Sequence, residues 1–302
     1  MAEINSKFKD RLFSFIFGRE ENKHWTLELY NAVNSSSYTD PSAVRITTIQ
    51  QVLYLGMRND VSFVISNDMN LYEQQSTYNP NMPIRQMQYC GYLYEKHIKE
   101  HKLNKYGATQ LSLPVPKLVV FYNGRQEIPD ETILELKDSF PEGSSSDIAV
   151  RVHMLNINYG RNRELLEACK PLKDYSWFVA EVRKNLERRT GDKSIDVEEA
   201  VNQAITNMPE ESVIKPFLEA HKAEVTGMML MEYDEAETMD LFREEGRREG
   251  LKEGQEKGIK EGETLLAKLM NILFHLGLVD DAKKAATDQT FRNELYKKYN
   301  LI

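Results

Sequence analysis

The 302-residue sequence has few cysteines and no long apolar run. These two absences argue against a disulfide-rich protein and against a membrane-spanning one. Its two cysteines, Cys90 and Cys169, belong to no C-x-x-C pair, so neither a disulfide framework nor a cysteine zinc site is expected. No stretch of about 18 apolar residues occurs, which argues against a membrane span. The apolar patch at residues 12–17 is too short and too interrupted for a secretory signal peptide. We therefore expect a cytoplasmic protein that does not associate with a membrane.

Acidic residues outnumber basic ones, but the imbalance is confined to the later part of the chain. The formal net charge is -8. Residues 1–125 carry 14 Lys and Arg against 11 Asp and Glu, a net charge of +3, whereas residues 126–302 carry 25 against 36, a net charge of -11. This asymmetry is a weak pointer to a basic functional face and an acidic accessory region.

Hydrophobic periodicity and turn residues predict helices interleaved with one small sheet. Residues 25–33 repeat apolar side chains every four positions and predict a helix. Three extended segments follow, at residues 46–55, 60–65 and 69–76, with turn residues at 56–59. A helix from Pro83 to about His101 leads to an almost purely apolar strand, Leu118–Tyr122, which we expect to be central. This order predicts an α/β or α+β arrangement, and we assign the fold class as α/β.

The remainder of the chain is predicted to be largely helical. After a strand at residues 148–157, residues 161–242 form one helical region, and residues 243–302 form a glycine-spaced helix with a helical tail. The glycines recur every four residues, at Gly246, Gly250, Gly254, Gly258 and Gly262. Either this stripe of small residues packs against another helix, which permits a homo-oligomer, or the segment is a flexible charged linker. The predicted regions are therefore 1–160, 161–242 and 243–302.

Three polar residues lie on two neighbouring extended segments. Asp60 opens the first, and Glu73 and Gln75 lie on the second, one residue apart, so strand alternation directs the latter two to the same side. If the segments form a hairpin, Asp60 and Glu73 converge at one end of the sheet. Two close carboxylates repel each other, and Mg²⁺, which takes a few carboxylates plus waters, relieves that repulsion. The same ion activates water and stabilises charge on a phosphate, as phosphodiester hydrolysis requires.

Simpler interpretations of these residues remain open at this stage. Asp60 follows a turn, where Asp commonly serves only as a strand-entry or Asx-turn residue. Taken alone, Glu73 and Gln75 fit the solvent-facing side of an alternating strand better than a metal site. Both alternatives make a structural prediction that differs from the metal-site hypothesis.

The spacing also resembles a known class of nuclease. Asp60, Glu73 and Gln75 form a D-x(12)-E-x-Q pattern on a predicted αβββαβ order, which resembles the PD-(D/E)XK restriction-endonuclease-like core. Longer blocks resemble one bacterial family within it, the Rpn family of recombination-promoting nucleases and putative transposases, over nearly the whole chain. These blocks are RNDVSFVI, YEQQSTYNPNMPIRQMQYCGYLYEK, LVVFYNG, LNINYG and the glycine-spaced tail.

The resemblance implies a Mg²⁺-dependent DNA endonuclease with residues 1–160 as its core. Asp60, Glu73 and the backbone carbonyl of Gln74 would bind the metal. Gln75 would occupy the third motif position, where Lys is usual, so a neutral amide replaces a positive charge. This departure bears on rate more than on class.

Further residues are candidates, Glu28 through the resemblance to this class of nuclease and Arg85 and Gln88 through their place on the second predicted helix, and each has a simpler alternative. Glu28 lies on the helix before the first strand, where an acidic residue often completes the metal site, although a solvated helix position is equally plausible. Arg85 and Gln88, after Pro83, are candidates to contact DNA phosphates. The alternative is that they lie on an exposed helix face that has no such role. Asn156, Asn158 and Gly160 belong to a family block, but the sequence suggests no mechanism for them.

Two other functions compete with the nuclease. In the first, the protein is a catalytically weak or inactive DNA-binding oligomer, and the presence of Gln75 where Lys is usual reflects the loss of activity. In the second, it is a transposase with an RNase-H-like site, which needs three dispersed carboxylates on a different strand order. The retained pair Asp60 and Glu73 favours the metal-dependent endonuclease.

Overall fold

The computed structural model describes residues 12–47, 60–187 and 193–302. The chain divides into two compact units, Met1–Ala236 and Glu237–Ile302. The region boundaries predicted at residues 160 and 242 stay predictions. Most of the extended segment predicted at 46–55, and the turn predicted at 56–59, lie outside the described residues.

A six-stranded mixed sheet forms the centre of the first unit, with the strand order β1-β2-β3-β4-β6-β5. Strands β1, β2 and β3 are antiparallel neighbours, β3, β4 and β6 run parallel, and β5 pairs antiparallel with β6. The strands are β1 Arg45–Ile46, β2 Val61–Ile65, β3 Asp68–Gln75, β4 Val115–Tyr122, β5 Glu131–Glu135 and β6 Arg151–Asn156. The carboxyl ends of β3, β4 and β6 therefore meet at one edge of the sheet.

Helices surround this sheet and complete the α/β class that the sequence predicted. Those of the first unit are α1 Leu12–Phe17, α2 Lys23–Asn34, α3 Met82–Glu100, α4 Arg163–Ala168, α5 Lys170–Glu187, α6 Lys193–Asn207 and α7 Lys215–Ala220. The predicted helix at residues 25–33, the helix that begins near Pro83 and the interior strand at Leu118–Tyr122 are all confirmed. Strand β5 was not predicted, because it is an edge strand whose few apolar residues alternate with exposed ones.

The two faces of the sheet are covered by different helices. Because strand side chains alternate, Tyr72 and Phe121 lie on one face and share an apolar core with residues of α1, α2 and α5. Leu71 lies on the opposite face in a cluster with Tyr89 and Leu93 of α3. Glu73 and Gln75 follow Leu71 in the same alternation, which places their side chains on the α3 face.

Helix α8, Lys222–His275, contains the glycine-spaced segment, so the helix predicted there is confirmed. In the second unit the end of α8 packs with α9, Val279–Thr287, and α10, Gln289–Lys298. Their shared core consists of Leu269, Leu273, Ala282, Ala285, Leu295 and Tyr296. Within the described part of the chain, no helix combines the length and apolar character that a membrane crossing requires.

Candidate functional site

The hairpin proposed for Asp60 and Glu73 is present. Strands β2 and β3 pair antiparallel from Ile65 opposite Asp68 to Val61 opposite Tyr72. Asp60 immediately precedes β2, and its Oδ2 accepts a hydrogen bond of 2.7 Å from the backbone N–H of Gln74. The Asp60 carboxylate therefore reaches the segment of β3 that carries Glu73 and Gln75.

Glu73 and Gln75 share one side of β3, as strand alternation predicted. The Gln75 side-chain Nε2 donates a hydrogen bond of 2.9 Å to Glu73 Oε1. Only 2% of Glu73 and 5% of Gln75 are exposed, so the solvent-face alternative is wrong. A buried carboxylate has a large desolvation cost, and it persists only where charges and hydrogen bonds compensate it.

Helix α3 supplies that compensation. Arg85 Nη2 lies 2.5 Å from Glu73 Oε1 and also donates to the Tyr89 hydroxyl oxygen at 3.2 Å. Residues four apart on a helix face the same way, so Arg85 and Tyr89 lie side by side on α3. The phosphate-binding role predicted for Arg85 stays a prediction, and the structure adds an ion pair with Glu73.

Tyr89 lies among the charged side chains of this region. Burial, together with the nearby negative charges of Glu73 and Asp60, raises the pKa of the Tyr89 hydroxyl against the opposing influence of Arg85. Asp60 and Glu73 thus lie in the same neighbourhood of the fold. Their convergence on one metal ion stays a prediction.

The other face of β3 carries a second polar network that sequence reasoning missed. The Gln74 side chain donates a 2.7 Å hydrogen bond to Asn123 Oδ1, and the Asn123 backbone N–H donates to the Gln75 carbonyl at 3.1 Å. Asn123 Nδ2 donates to the Tyr175 hydroxyl at 3.3 Å, and Arg183 donates to the Asn123 carbonyl. The only sequence signal was Asn123-Gly124, which indicated nothing beyond the end of a strand.

Two predicted site residues lie in other surroundings. Glu28 Oε1 accepts a 2.7 Å hydrogen bond from the backbone N–H of Lys170, the first residue of α5, so this carboxylate caps a helix N-terminus. Gln88 is exposed on α3. Their assignments as metal ligand and DNA contact stay predictions.

The candidate metal ligands can be compared with the ligands that different metal ions require. Among the side chains that the structure describes, no cluster of three or more His, Cys, Asp or Glu is arranged to hold a metal ion. Asp60 and Glu73, with the backbone carbonyl of Gln74, fit Mg²⁺, because this ion is bound by one or two carboxylates and keeps several waters.

No protein-family model, curated protein or solved structure matches the chain. The fold is that of a mixed α/β protein in which Asp60 is hydrogen-bonded to the strand that carries Glu73 and Gln75.

Proposed function

We propose that the protein is a Mg²⁺-dependent DNA endonuclease of the PD-(D/E)XK class, of the kind found in the Rpn family, acting in the cytoplasm in recombination or mobile-element activity. The observation that carries the proposal is that Asp60 Oδ2 accepts a hydrogen bond of 2.7 Å from the Gln74 N–H, which brings this carboxylate to the segment of β3 that carries Glu73. The element order α2-β1-β2-β3-α3-β4 supports it, since it is the αβββαβ order of that class.

In this proposal Asp60, Glu73 and the backbone carbonyl of Gln74 hold the metal. When bound, Mg²⁺ would supply positive charge to the phosphate and lower the pKa of a bound water. Water attacks the phosphorus while the phosphorus–oxygen bond to the leaving sugar oxygen breaks, so a phosphodiester is hydrolysed. The attacking water gives up one proton and the leaving sugar oxygen takes up one, so the products are a phosphate monoester and a sugar hydroxyl.

The remaining side chains position these groups. Gln75 holds Glu73 through its amide and can orient a water by hydrogen bonding, although it adds no charge. The Arg85 side chain is 34% exposed, and its guanidinium carries a permanent positive charge. Arg85 can therefore present positive charge to a phosphate while it stays paired with Glu73.

Incubation of the purified protein with supercoiled plasmid tests this function. We expect nicked or linear product with Mg²⁺ and none with a chelator. Asp60→Ala is the control, because it removes a proposed ligand that lies at the start of a strand. Cleavage that is equal with Mg²⁺ and chelator, or equal for Asp60→Ala and the parent, would contradict the proposal.

A second candidate is a DNA-binding protein without catalytic activity. The pairing of Glu73 with both Arg85 and Gln75 favours it, because a structural ion pair needs no metal. This candidate predicts that DNA binding persists in the plasmid experiment while no product forms.

A second copy of the chain is the proposed protein partner. At Gly250, Gly254, Gly258 and Gly262 of α8, a Cβ would meet no described atom within 4 Å other than the adjacent residues and nearby backbone of the helix itself. Leu251 lies within this stripe by helical geometry, and 67% of it is exposed. An open small-residue stripe with an exposed leucine suits close packing of another helix.

A further inference from the structure

A cleft lies beside the candidate site, at the carboxyl edge of β4 and β6. It has a volume of about 420 Å³ and is bounded by the loop after β4, the loop after β6 and the end of α5. The side chains that bear on its chemistry are Arg125, Tyr159, Arg161, Arg183 and Lys184. None of the roles proposed above uses this cleft.

Its walls are fixed by the asparagine block that the sequence left unexplained. Asn158 Nδ2 donates 3.0 Å hydrogen bonds to the Gly124 carbonyl and to Asn156 Oδ1. Asn156 Nδ2 in turn donates to the Ile128 carbonyl at 3.0 Å. The two asparagines thus tie the loop after β4 to the end of β6 and hold the cleft open between them.

Gly124 is required where that loop leaves the sheet. A Cβ at this position would lie 2.3 Å from the Ser76 carbonyl oxygen and 2.5 Å from the Tyr122 hydroxyl oxygen. Only glycine permits so close an approach. The chain then turns directly into Arg125, which is exposed at the cleft.

The cleft carries a positive excess. Four basic side chains line it against two acidic ones, Glu127 and Glu187. Arg161 is held in place by Asp130, at 3.0 Å, and by the Ile128 carbonyl, at 2.9 Å. Among the residues that the structure describes, Arg125 takes part in no ion pair, so its charge is available to a ligand.

Arg183 connects the cleft to the candidate site. It lines the cleft and donates to the carbonyl of Asn123, whose own N–H donates to the Gln75 carbonyl. Gln75, Tyr122 and Asn156 are also in register across β3, β4 and β6. Because neighbouring strands lie about 4.8 Å apart, about 10 Å separates Gln75 from Asn156. Phosphates on one strand of B-form DNA recur about every 3.4 Å along the helix axis, so a few nucleotides would bridge this gap.

We propose that this cleft binds the sugar-phosphate chain of a nucleic-acid strand a few nucleotides from the site at Asp60 and Glu73. The proposal rests on the nucleic-acid substrate proposed above and names where that strand runs. Arg125, Arg161 and Lys184 contact the phosphates, and Tyr159, half exposed in the cleft, stacks on a base. Lys184 forms an ion pair with Glu181 at 2.8 Å, and because the Lys184 side chain is 53% exposed, exchanging this partner for a phosphate costs little.

The test uses the full-length protein and a fluorescein-labelled 12-nucleotide oligothymidylate in chelator, so that cleavage plays no part. Fluorescence anisotropy gives the binding constant over a salt series for the parent, Arg125→Ala and Arg125→Ala/Lys184→Ala. Each lost phosphate contact should reduce the slope of log K against log salt by about 0.7. Arg151→Ala is the matched control, because Arg151 is 71% exposed at the opposite, amino end of β6.

We expect a reduction of about 0.7 for the single variant and about 1.4 for the double variant, with no change for Arg151→Ala. The cleft assignment would be overturned if the slope of log K against log salt were the same for the parent and Arg125→Ala. It would also be overturned if the parent bound no oligonucleotide. Displacement of the oligonucleotide by thymidine monophosphate at equal affinity would also overturn it, since the cleft would then be a small-anion site. If the slopes change but Mg²⁺ produces no plasmid cleavage, the cleft assignment stands and the nuclease proposal fails alone.

Discussion

The guanidinium of Arg85 lies 2.5 Å from Glu73 Oε1, and the two side chains differ greatly in exposure, at 34% and 2%. Glu73 is therefore a buried charge whose compensation comes from a half-exposed partner on another element. Removing the partner from such a pair is costly because it leaves the buried charge uncompensated, whereas neutralising the buried member is far less so.

Arg85→Ala should therefore destabilise the protein by about 3 kcal/mol or more in chelator. Glu73→Gln should change stability by less than about 1 kcal/mol, because the amide oxygen still accepts from Arg85 and Gln75 while a buried charge disappears. Urea unfolding of the parent, both single variants and the double variant measures the two effects and their coupling. In the double variant most of the loss caused by Arg85→Ala should be recovered. If the loss of stability in the double variant equalled the sum of the losses in the two single variants, Glu73 would not depend on Arg85.

Substitutions of Glu28 distinguish a helix-capping role from metal binding. Its carboxylate accepts from the Lys170 N–H, and Gln at this position would still provide an acceptor oxygen. We expect Glu28→Gln to cleave DNA as the parent does, and Glu28→Ala to lower stability by about 1 kcal/mol through loss of the cap. Plasmid cleavage and thermal unfolding measure these effects. Lost cleavage with unchanged stability in Glu28→Gln would instead identify a metal ligand.

Substitutions of Gln75 test its role in the proposed hydrolysis of the phosphodiester. Gln75→Lys keeps a donor near Glu73 and adds a positive charge where the class usually has one, so we expect equal or faster cleavage. Gln75→Ala removes the donor and should slow it. Initial rates of plasmid nicking at saturating Mg²⁺ rank the three proteins. A rank order with Ala above Gln would exclude a direct role for the amide.

The glycine stripe of α8 predicts self-association. Changing Gly250, Gly254, Gly258 and Gly262 to Ala should strengthen the helix by about 1 kcal/mol at each position. The added methyl groups should nevertheless push away a closely packed second helix, so the mass measured by light scattering should fall. The control is Lys260→Ala/Glu263→Ala, which alters exposed residues on the opposite face by helical geometry. A mass that does not change in the glycine variant would exclude packing through this stripe.

Much of the fold could be predicted, because local periodicity encodes it. The helix at residues 25–33, the β2–β3 hairpin and the interior strand β4 each follow from the spacing of apolar side chains and from turn residues. The shared side of Glu73 and Gln75 follows from strand alternation alone.

The partners of the site residues could not be predicted in the same way. The ion pair of Glu73 with Arg85 depends on how α3 crosses the sheet, and the link from Arg183 to Asn123 joins positions 60 residues apart. The cap that Glu28 provides to α5 spans 142 residues. Contacts of this kind depend on tertiary packing, which a local pattern does not specify.

The most direct test of the account is the rate of Mg²⁺-dependent plasmid cleavage by Asp60→Asn and Glu73→Gln, measured beside their stability in chelator. Both substitutions keep size and polarity and remove one negative charge. We predict that each abolishes cleavage, because a bound metal supplies several kcal/mol of transition-state stabilisation. Each should unfold within about 1 kcal/mol of the parent. Parent-like cleavage by both variants would contradict the nuclease assignment at these residues and favour the DNA-binding alternative.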